Sequence, residues 1–229
     1  MRVRRAPDVV IRRLPLYLRV LENIDIDKHG PSISSYELGD AAGVTPDQVR
    51  KDLSLFGEFG KQGVGYEIDT LRQELRRVLN LDCVIRVAII GAGSLGIALA
   101  RYLQGRRRAE SNYHLDMVAV FDKDPAKIGL EIDGVRVLPM ELLKSKVREL
   151  GVRMAVVAVP AASAQEVVDA CVDAGIDGIL NFAPAKLAVP SHVRLHNSDL
   201  SLELMHLAYY LCGAPGENTR TARDSQAEG

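Results

Sequence analysis

The chain has 229 residues, 47% hydrophobic and 26% charged, which fits two compact domains of unequal size and excludes a wholly disordered chain. No apolar run reaches the ~18 residues that span a bilayer, and no apolar signal segment follows the N-terminal arginines, so we expect a cytoplasmic protein. Because the formal net charge is −1, a DNA-binding face would have to come from local clustering of basic residues.

The three cysteines indicate neither a disulfide framework nor a metal site. Cys83, Cys171 and Cys212 lie far apart and lack the spacing of zinc ligands. Each lies in or beside an apolar segment, so we interpret all three as small buried hydrophobic residues. We therefore expect no metal.

The first 82 residues begin with helical patterns. Apolar positions recur at helical spacing over residues 7–23, although Pro15 predicts a kink or a later start. Ser34 and Glu37 have the spacing of a capping box, which predicts a short helix that runs through Ala42.

A turn, a second helix and a glycine-rich segment follow. Gly43 suits a tight turn, and Thr45 and Pro46 suit the start of a helix over residues 47–55. Glycines alternate with aromatic residues over 56–66, which predicts a β-hairpin wing. This order of elements predicts a winged helix-turn-helix domain.

The pattern changes at residue 84, after a predicted linking helix over residues 68–79. Residues 84–90 form a nearly continuous β-branched run, which is typical of a strand buried on both faces of a sheet. A glycine-rich turn over 91–96 opens the next helix, and we expect a polar loop over 105–113 that contains the three consecutive arginines.

Strands and helices alternate in the rest of the chain, which predicts a Rossmann-type doubly wound parallel sheet. The predicted strands cover residues 115–121, 154–159 and 178–181, with a helix over 164–174 between the last two. The predicted domains are therefore 1–82 (winged helix) and 83–199 (Rossmann), followed by an apolar helix over 200–212 and a disordered tail over 213–229.

The glycine-rich turn predicts a dinucleotide site because it follows a strand and opens a helix. Gly91 permits the tight turn, Gly93 lets the backbone approach a pyrophosphate, and Gly96 lets the helix pack against the strand. Asp122 ends the next strand, 26 residues after Gly96 rather than ~20, and its carboxylate favours NAD(H) over NADP(H). The candidate cofactor residues here are Gly91, Ala92, Gly93, Ser94, Leu95, Gly96 and Asp122.

Two further loops follow strand ends, where ligands bind in such sheets, and are candidate surroundings of the nicotinamide. One begins at Pro160, and the other contains Asn181 and Phe182.

The second helix of the helix-turn-helix carries side chains that read base edges. Arg50 and Lys51 alone could be a solvated helix face, but the helix-turn-helix and the wing favour DNA. Arg12 or Arg13 of the first helix could contact phosphates. The candidate DNA-binding residues are Thr45, Gln48, Arg50, Lys51, Ser54, Lys61, Gly63 and Arg12.

Two alternatives remain open at this point. An NAD-dependent oxidoreductase with an accessory helical domain would need a catalytic base, but none of His114, His192, His196 and His206 is paired in sequence with an orienting carboxylate. A sugar-binding or acyl-CoA-binding regulator would use the same glycine turn, and Asp122 disfavours it. We expect that the protein is not an enzyme, and we assign no catalytic residue.

Five segments, 48–54, 56–66, 91–96, 121–125 and 178–184, resemble the redox-sensing transcriptional repressors called Rex. The resemblance covers residues ~8 to ~212. It adds Lys123 to the candidate cofactor residues. One departure is Leu55, where many members carry tyrosine, which puts one DNA contact in doubt.

The resemblance implies a homodimer that binds an inverted-repeat operator when apo or NAD+-bound and is released by NADH. It also implies that the helix at 200–212 is exchanged between subunits and that Phe182 enters the partner's nicotinamide pocket. Tyr102 would contact the cofactor in a redox-dependent way, and Arg19 and Asp199 would join it in coupling the two domains.

Overall fold

A computed structural model describes residues 6–61, 63–110 and 113–212, apart from the side chains of Lys61 and Cys212. The chain divides between Cys83 and Val84 into two compact units. The predicted tail at 213–229 lies outside the described residues. Within those residues, no helix has the length and apolar character needed to cross a membrane.

The N-terminal unit packs helices against a small antiparallel sheet. Its helices are α1 (Asp8–Glu22), α2 (Ile26–His29), α3 (Ser35–Ala42), α4 (Pro46–Ser54) and α5 (Ile68–Val78). Its strands are β1 (Ser32–Ile33), β2 (Gly60–Lys61) and β3 (Gly65–Glu67), in the order β1-β3-β2. The structure confirms the predicted winged helix-turn-helix.

Local side-chain chemistry sets the boundaries of α3 and α4. The Ser34 hydroxyl accepts a hydrogen bond from the Glu37 backbone amide at 3.1 Å, and the Glu37 carboxylate accepts one from the Ser34 amide at 2.8 Å. Gly43 ends α3 in the left-handed conformation, at φ 69°. The Thr45 hydroxyl then caps α4 by accepting from the Gln48 amide at 3.2 Å. Pro15 lies inside α1, which is one continuous helix.

The wing strand β3 lies close to β1, with Ile33 opposite Tyr66. Gly65 adopts φ +91°, and an added Cβ there would overlap the carbonyl oxygen of Ile33. Glycine is therefore required where the wing leaves the helical core.

The C-terminal unit is a seven-stranded sheet, as far as the chain is described, in the order β10-β9-β8-β4-β5-β7-β6. Only β6 is antiparallel to its neighbour. The strands are β4 (Ile85–Ile90), β5 (Leu115–Asp122), β6 (Glu131–Ile132), β7 (Val135–Pro139), β8 (Met154–Val157), β9 (Gly178–Asn181) and β10 (Arg194–Asn197). The helices are α6 (Ser94–Ala109), α7 (Leu143–Leu150), α8 (Ala161–Ala174) and α9 (Leu200–Cys212), with a 3-10 turn at Met140–Leu142.

The strand order confirms the predicted doubly wound parallel sheet. The first strand of the unit, β4, has β5 on one side and β8 on the other, so the direction of winding reverses between β4 and β8. The carboxyl ends of these strands flank the crevice in which such folds bind ligands. The fold thereby fixes the place of a site before any side chain is considered.

Three local predictions were wrong. The arginines at 106–108 lie in the last turn of α6, not in a loop, because positive charge stabilises a helix C-terminus and Arg106 bonds Glu110 at 2.8 Å. Cys83 is exposed because it lies at the division between the units, whereas burial raises the pKa of the Cys171 thiol to about 12. His196 lies within β10 rather than beside it.

The apolar helix α9 buries none of its described side chains. Its large apolar residues are between 56% and 85% exposed. The exchange of this helix between subunits stays a prediction.

Candidate nucleotide and nucleic-acid sites

A cavity of about 580 Å³ lies at the switch point of the sheet. Loops that follow β4, β5 and β8, together with the first turns of α8, line it. Its lining includes Gly91, Gly93, Asp122, Lys123, Pro160 and Ser163. The volume lies within the range of small-molecule and cofactor sites.

The glycine turn shapes one wall of this cavity. Gly91 adopts φ +105°, and an added Cβ would lie 2.5 Å from the carbonyl oxygen of Ala158. At Gly96 a Cβ would overlap the carbonyl oxygen of Gly91, so α6 can pack this close only with glycine. A Cβ at Gly93 would have no atom within 4 Å, which leaves open space for a ligand.

The N-terminus of α6 faces this turn with Ser94 and Leu95 in its first turn. No described side chain caps the helix there. Its amide groups and its positive dipole end therefore suit a phosphate or pyrophosphate.

Asp122 holds the glycine turn in place. Its Oδ2 accepts from the Ala92 amide at 2.7 Å, and its Oδ1 accepts from the Asp124 amide at 2.8 Å. Burial raises the cost of charging this carboxyl, but these two amides and Lys127 outweigh that cost and lower its pKa. The sequence predicted a ribose ligand, and the structure adds an internal role for the same carboxylate.

Lys127 lines the cavity and was missed by the sequence analysis. Its Nζ lies 3.3 Å from Asp122 Oδ2, while Lys123 Nζ lies 3.4 Å from the hydroxyl of Ser163. A lysine five residues after the strand-ending aspartate was the available signal. Two cations and two carboxylates, Asp122 and Asp124, therefore share this end of the cavity.

The cavity does not include all the predicted nicotinamide residues. The Asn181 amide is engaged by the protein itself, donating to the Ala183 carbonyl in the loop after β9 at 2.9 Å and to Oδ1 of Asn197 on β10 at 3.0 Å. Phe182 is half-buried and packs against the core of its own sheet. Tyr102 is 57% exposed on α6. Among the described residues, the cavity lining contains none of these three side chains.

A second concave surface, of about 630 Å³, lies between α4 and the wing. Its lining includes Ser35, Arg50, Ser54, Gly63 and Tyr66. Arg50 donates to the Ser35 hydroxyl at 2.6 Å and forms an ion pair with Asp47. Lys51 is exposed on the same helix. Arg50 and several hydroxyl side chains thus face a groove beside α4, and side chains of these types can donate to base edges.

Other predicted DNA contacts have partners within the protein. Gln48 Nε2 donates to Asp52 Oδ1 at 2.7 Å, and Arg12 pairs with Asp8 at 2.7 Å. Thr45 caps α4 as predicted from its position. The side chain of Lys61 lies outside the described parts of the chain.

The three predicted coupling residues are divided between the units. Arg19 is exposed on α1 beside a small groove of about 210 Å³. Tyr102 lies on α6, and Asp199 Oδ1 accepts from the Ser201 amide at 2.9 Å, which caps the start of α9. Their role in coupling stays a prediction.

Two family models match the chain, one per unit. The model described as "Putative DNA-binding protein N-terminus" matches residues 5–54, and the model described as "CoA binding domain" matches residues 84–185. The first match contains the helix-turn-helix, and the second contains the glycine turn and most of the parallel sheet.

Whole-chain relatives are more specific. A protein of Roseiflexus sp. (strain RS-1), "Redox-sensing transcriptional repressor Rex", is 46% identical over 92% of this chain and 93% of its own length. The solved structure "Crystal structure of RSP in complex with beta-NAD+ and operator DNA" has a TM-score of 0.81 and 38% identity, and covers 90% of this chain and 92% of RSP. A structure of RSP "in complex with beta-NADH" has a TM-score of 0.78 and 35% identity, covering 90% of this chain and 94% of that one.

RSP is itself described as a Rex-family repressor. The similarity extends across both units, so it includes the groove at α4 as well as the cavity at the switch point. With this identity and coverage, the chain belongs to the Rex family of redox-sensing transcriptional repressors.

Proposed function

We propose that this protein is a DNA-binding transcriptional repressor that senses the NADH/NAD+ ratio. It binds operator DNA when apo or NAD+-bound, and NADH releases it. It is a regulator and not an enzyme, and its ligand is NAD(H).

One observation carries this proposal: a groove lined by Arg50 and hydroxyl side chains beside α4 and a dinucleotide-type cavity occur in one chain of this family. RSP has been crystallised both with NAD+ and operator DNA and with NADH. A chain with both surfaces can couple the occupancy of one to the affinity of the other.

The redox preference follows from charge. The oxidised nicotinamide carries a positive charge, whereas the reduced ring is neutral. A dry, apolar environment disfavours the charged ring because burying an unpaired charge is costly. NADH should therefore bind more tightly than NAD+ where Phe182 covers the nicotinamide.

We infer a cytoplasmic homodimer that binds an inverted repeat. In its support, the apolar helix α9 is exposed throughout and would be covered if it packed on a partner subunit. Two copies related by a two-fold axis would present two α4 helices to successive major grooves. NADH would then act by favouring a dimer whose α4 helices have the wrong spacing.

The size of the switch is limited by linkage. NADH can weaken operator binding only by its differential affinity for the two dimer states, typically 1–3 kcal/mol. A ligand that bound both states equally would produce no switch.

The test is DNA selection from a random pool, followed by titration of the selected DNA complex with NADH and then NAD+ at one fixed salt concentration. Release by NADH alone supports the proposal. DNA binding that ignores both cofactors would assign the cavity to another ligand, and coenzyme A is the first to test because of the matching family model. If no DNA is selected, an NAD-dependent oxidoreductase becomes the better hypothesis, to be tested by substrate-dependent change in NADH absorbance.

A further inference from the structure

A buried polar cluster lies behind the DNA-facing helix and has no part in the function described so far. At its centre is Asp52 on α4, which is only 1% exposed. Apart from Asp122 and Asn181, it is the only buried polar or charged residue in the described part of the chain.

Four donors satisfy the Asp52 carboxylate. Arg13 donates through Nε at 2.6 Å and through Nη2 at 2.9 Å, one bond to each oxygen. The Tyr17 hydroxyl donates at 2.7 Å, and Gln48 Nε2 also donates at 2.7 Å. The two-pronged contact with Arg13 fixes direction as well as distance. The cluster therefore holds α1 and α4 in one relative orientation.

Asp52 lies on the buried side of α4, opposite the side chains that are predicted to face DNA. With 100° of rotation per residue, Arg50 and Ser54 each lie about 160° around the helix from Asp52. Any rotation or tilt of α4 about the buried carboxylate would displace these opposite side chains the most. Sub-ångström placement matters there because a bidentate contact with a base edge is strongly directional.

Stability alone does not require this cluster. Buried ion pairs recover little more than the cost of removing their charges from water, and apolar side chains of similar volume often stabilise as much or more. Apolar residues already surround the cluster, including Leu14, Leu18 and Leu53. The directional hydrogen bonds of the cluster restrict the angle between α1 and α4, which apolar packing alone restricts less.

We propose that Asp52 is a positioning residue for operator recognition: with Arg13, Tyr17 and Gln48, it sets the orientation at which α4 presents Arg50 and Ser54. This inference rests on the proposed DNA-binding function. It gives Gln48 a part inside the protein rather than at a base edge, and it makes Arg13 a positioning residue rather than a phosphate contact.

The experiment compares the full-length protein with three variants. Asp52→Asn removes the charge, Tyr17→Phe removes one hydrogen bond while keeping the buried ring, and Asp69→Asn is a matched control. Asp69 lies on α5, exposed, and pairs with Arg72 at 2.7 Å. Affinity is measured for the selected operator and for random-sequence DNA at one salt concentration, with circular dichroism to establish folding.

We expect Tyr17→Phe to weaken operator binding about 3- to 10-fold, the loss for one hydrogen bond, with little change on random DNA. We expect Asp52→Asn to weaken it more, also with random DNA little affected, and Asp69→Asn to match wild type. Loss of specificity at unchanged non-specific affinity is a result that general destabilisation does not produce. If Asp52→Asn fails to fold, Tyr17→Phe alone decides.

Two results would overturn the inference: operator affinity unchanged in Tyr17→Phe, or equal losses on operator and random DNA. The stoichiometry of NADH binding, measured by fluorescence titration of the same samples, gives the concentration of active protein. Failure of the wild-type protein itself to bind any selected DNA would instead refute the proposed function, and this inference with it.

Discussion

The two units each bury one aspartate, and the difference between these residues separates their tasks. Asp52 is held by side chains that come from another helix and from its own. Asp122 is held mainly by two backbone amides, with Lys127 Nζ 3.3 Å away. Burial opposes the charge of both, and hydrogen bonds outweigh it, so the pKa of each carboxyl is lowered.

The contrast has a physical lesson. A carboxylate bound by backbone amides fixes the path of a loop, which is what a close approach to a phosphate requires. A carboxylate bound by side chains fixes how two helices are oriented, which is what a base-reading surface requires. The chain uses similar chemistry twice, once for a cavity and once for an exposed face.

The largest expected effect is on NADH affinity, when Asp122 is replaced. Asp122→Ala removes the acceptor of the Ala92 amide and the predicted ribose ligand together, so NADH affinity should fall by about 2–3 kcal/mol, as for lost bonds to a charged group. Fluorescence titration of NADH measures the loss. Rejection of NADP(H) should also relax, because a carboxylate disfavours a 2′-phosphate.

The matched control for that experiment is Asp169→Asn, an exposed carboxylate on α8 that accepts from Gln165 at 2.8 Å. It should leave NADH affinity unchanged. Unchanged affinity for both cofactors in Asp122→Ala would assign the ribose to another residue.

Arg50→Ala should cost about 1–3 kcal/mol of operator affinity, the range for a bidentate base contact. The control is Arg77→Ala on α5, since Arg77 is also exposed and also pairs with an acidic residue three positions earlier. Electrophoretic mobility shifts at fixed salt measure both. Equal behaviour of the two variants would remove Arg50 from the set of reading residues.

Phe182→Ala tests the coupling between the units. If Phe182 covers the nicotinamide of a partner, the variant should lose most of the NADH effect on DNA, up to the 1–3 kcal/mol typical of allosteric coupling. Operator affinity without NADH should change little. Dissociation of the dimer, measured by sedimentation, would instead identify Phe182 as a core residue of the interface.

The smallest effect is on stability at acid pH. Because both folded pKa values lie below the unfolded value near 3.9, the two carboxylates stabilise the protein above about pH 4 and lose that contribution as pH falls further. Urea midpoints measured from neutral pH downward should therefore decline only in that acid range. Asp52→Asn should decline less steeply than wild type, and an identical slope would contradict a lowered pKa at Asp52.

The sequence predicted local structure best where one residue type determines the backbone. Ser34, Gly43 and Thr45 mark helix boundaries through their own side chains or φ angles, and the nearly continuous β-branched run that ends at Ile90 forms the predicted strand. At Gly96 the glycine turn is similarly local, since an added Cβ would meet the carbonyl oxygen of Gly91, five residues earlier.

Prediction failed where distant residues decide. Two partners of Asp52, Tyr17 and Arg13, lie 35 and 39 positions earlier, and no local pattern links them to it. For Gln48, which is predicted to read a base edge, the structure adds a hydrogen bond to Asp52, four positions later on the same helix. Lys127 was missed although it lies only five residues after Asp122, because the path of the loop after β5 decides whether its ammonium group returns to that carboxylate.

By itself, the sequence determined the winged helix-turn-helix, the parallel sheet and the place of the glycine turn, because periodicity, caps and glycines act over a few residues. Only the tertiary structure decided which buried charges meet, which predicted ligands are engaged internally and which cations share the cavity. Such pairings depend on how the folded chain brings side chains within hydrogen-bond distance. Burial then raises the free-energy cost of any charge that lacks a partner.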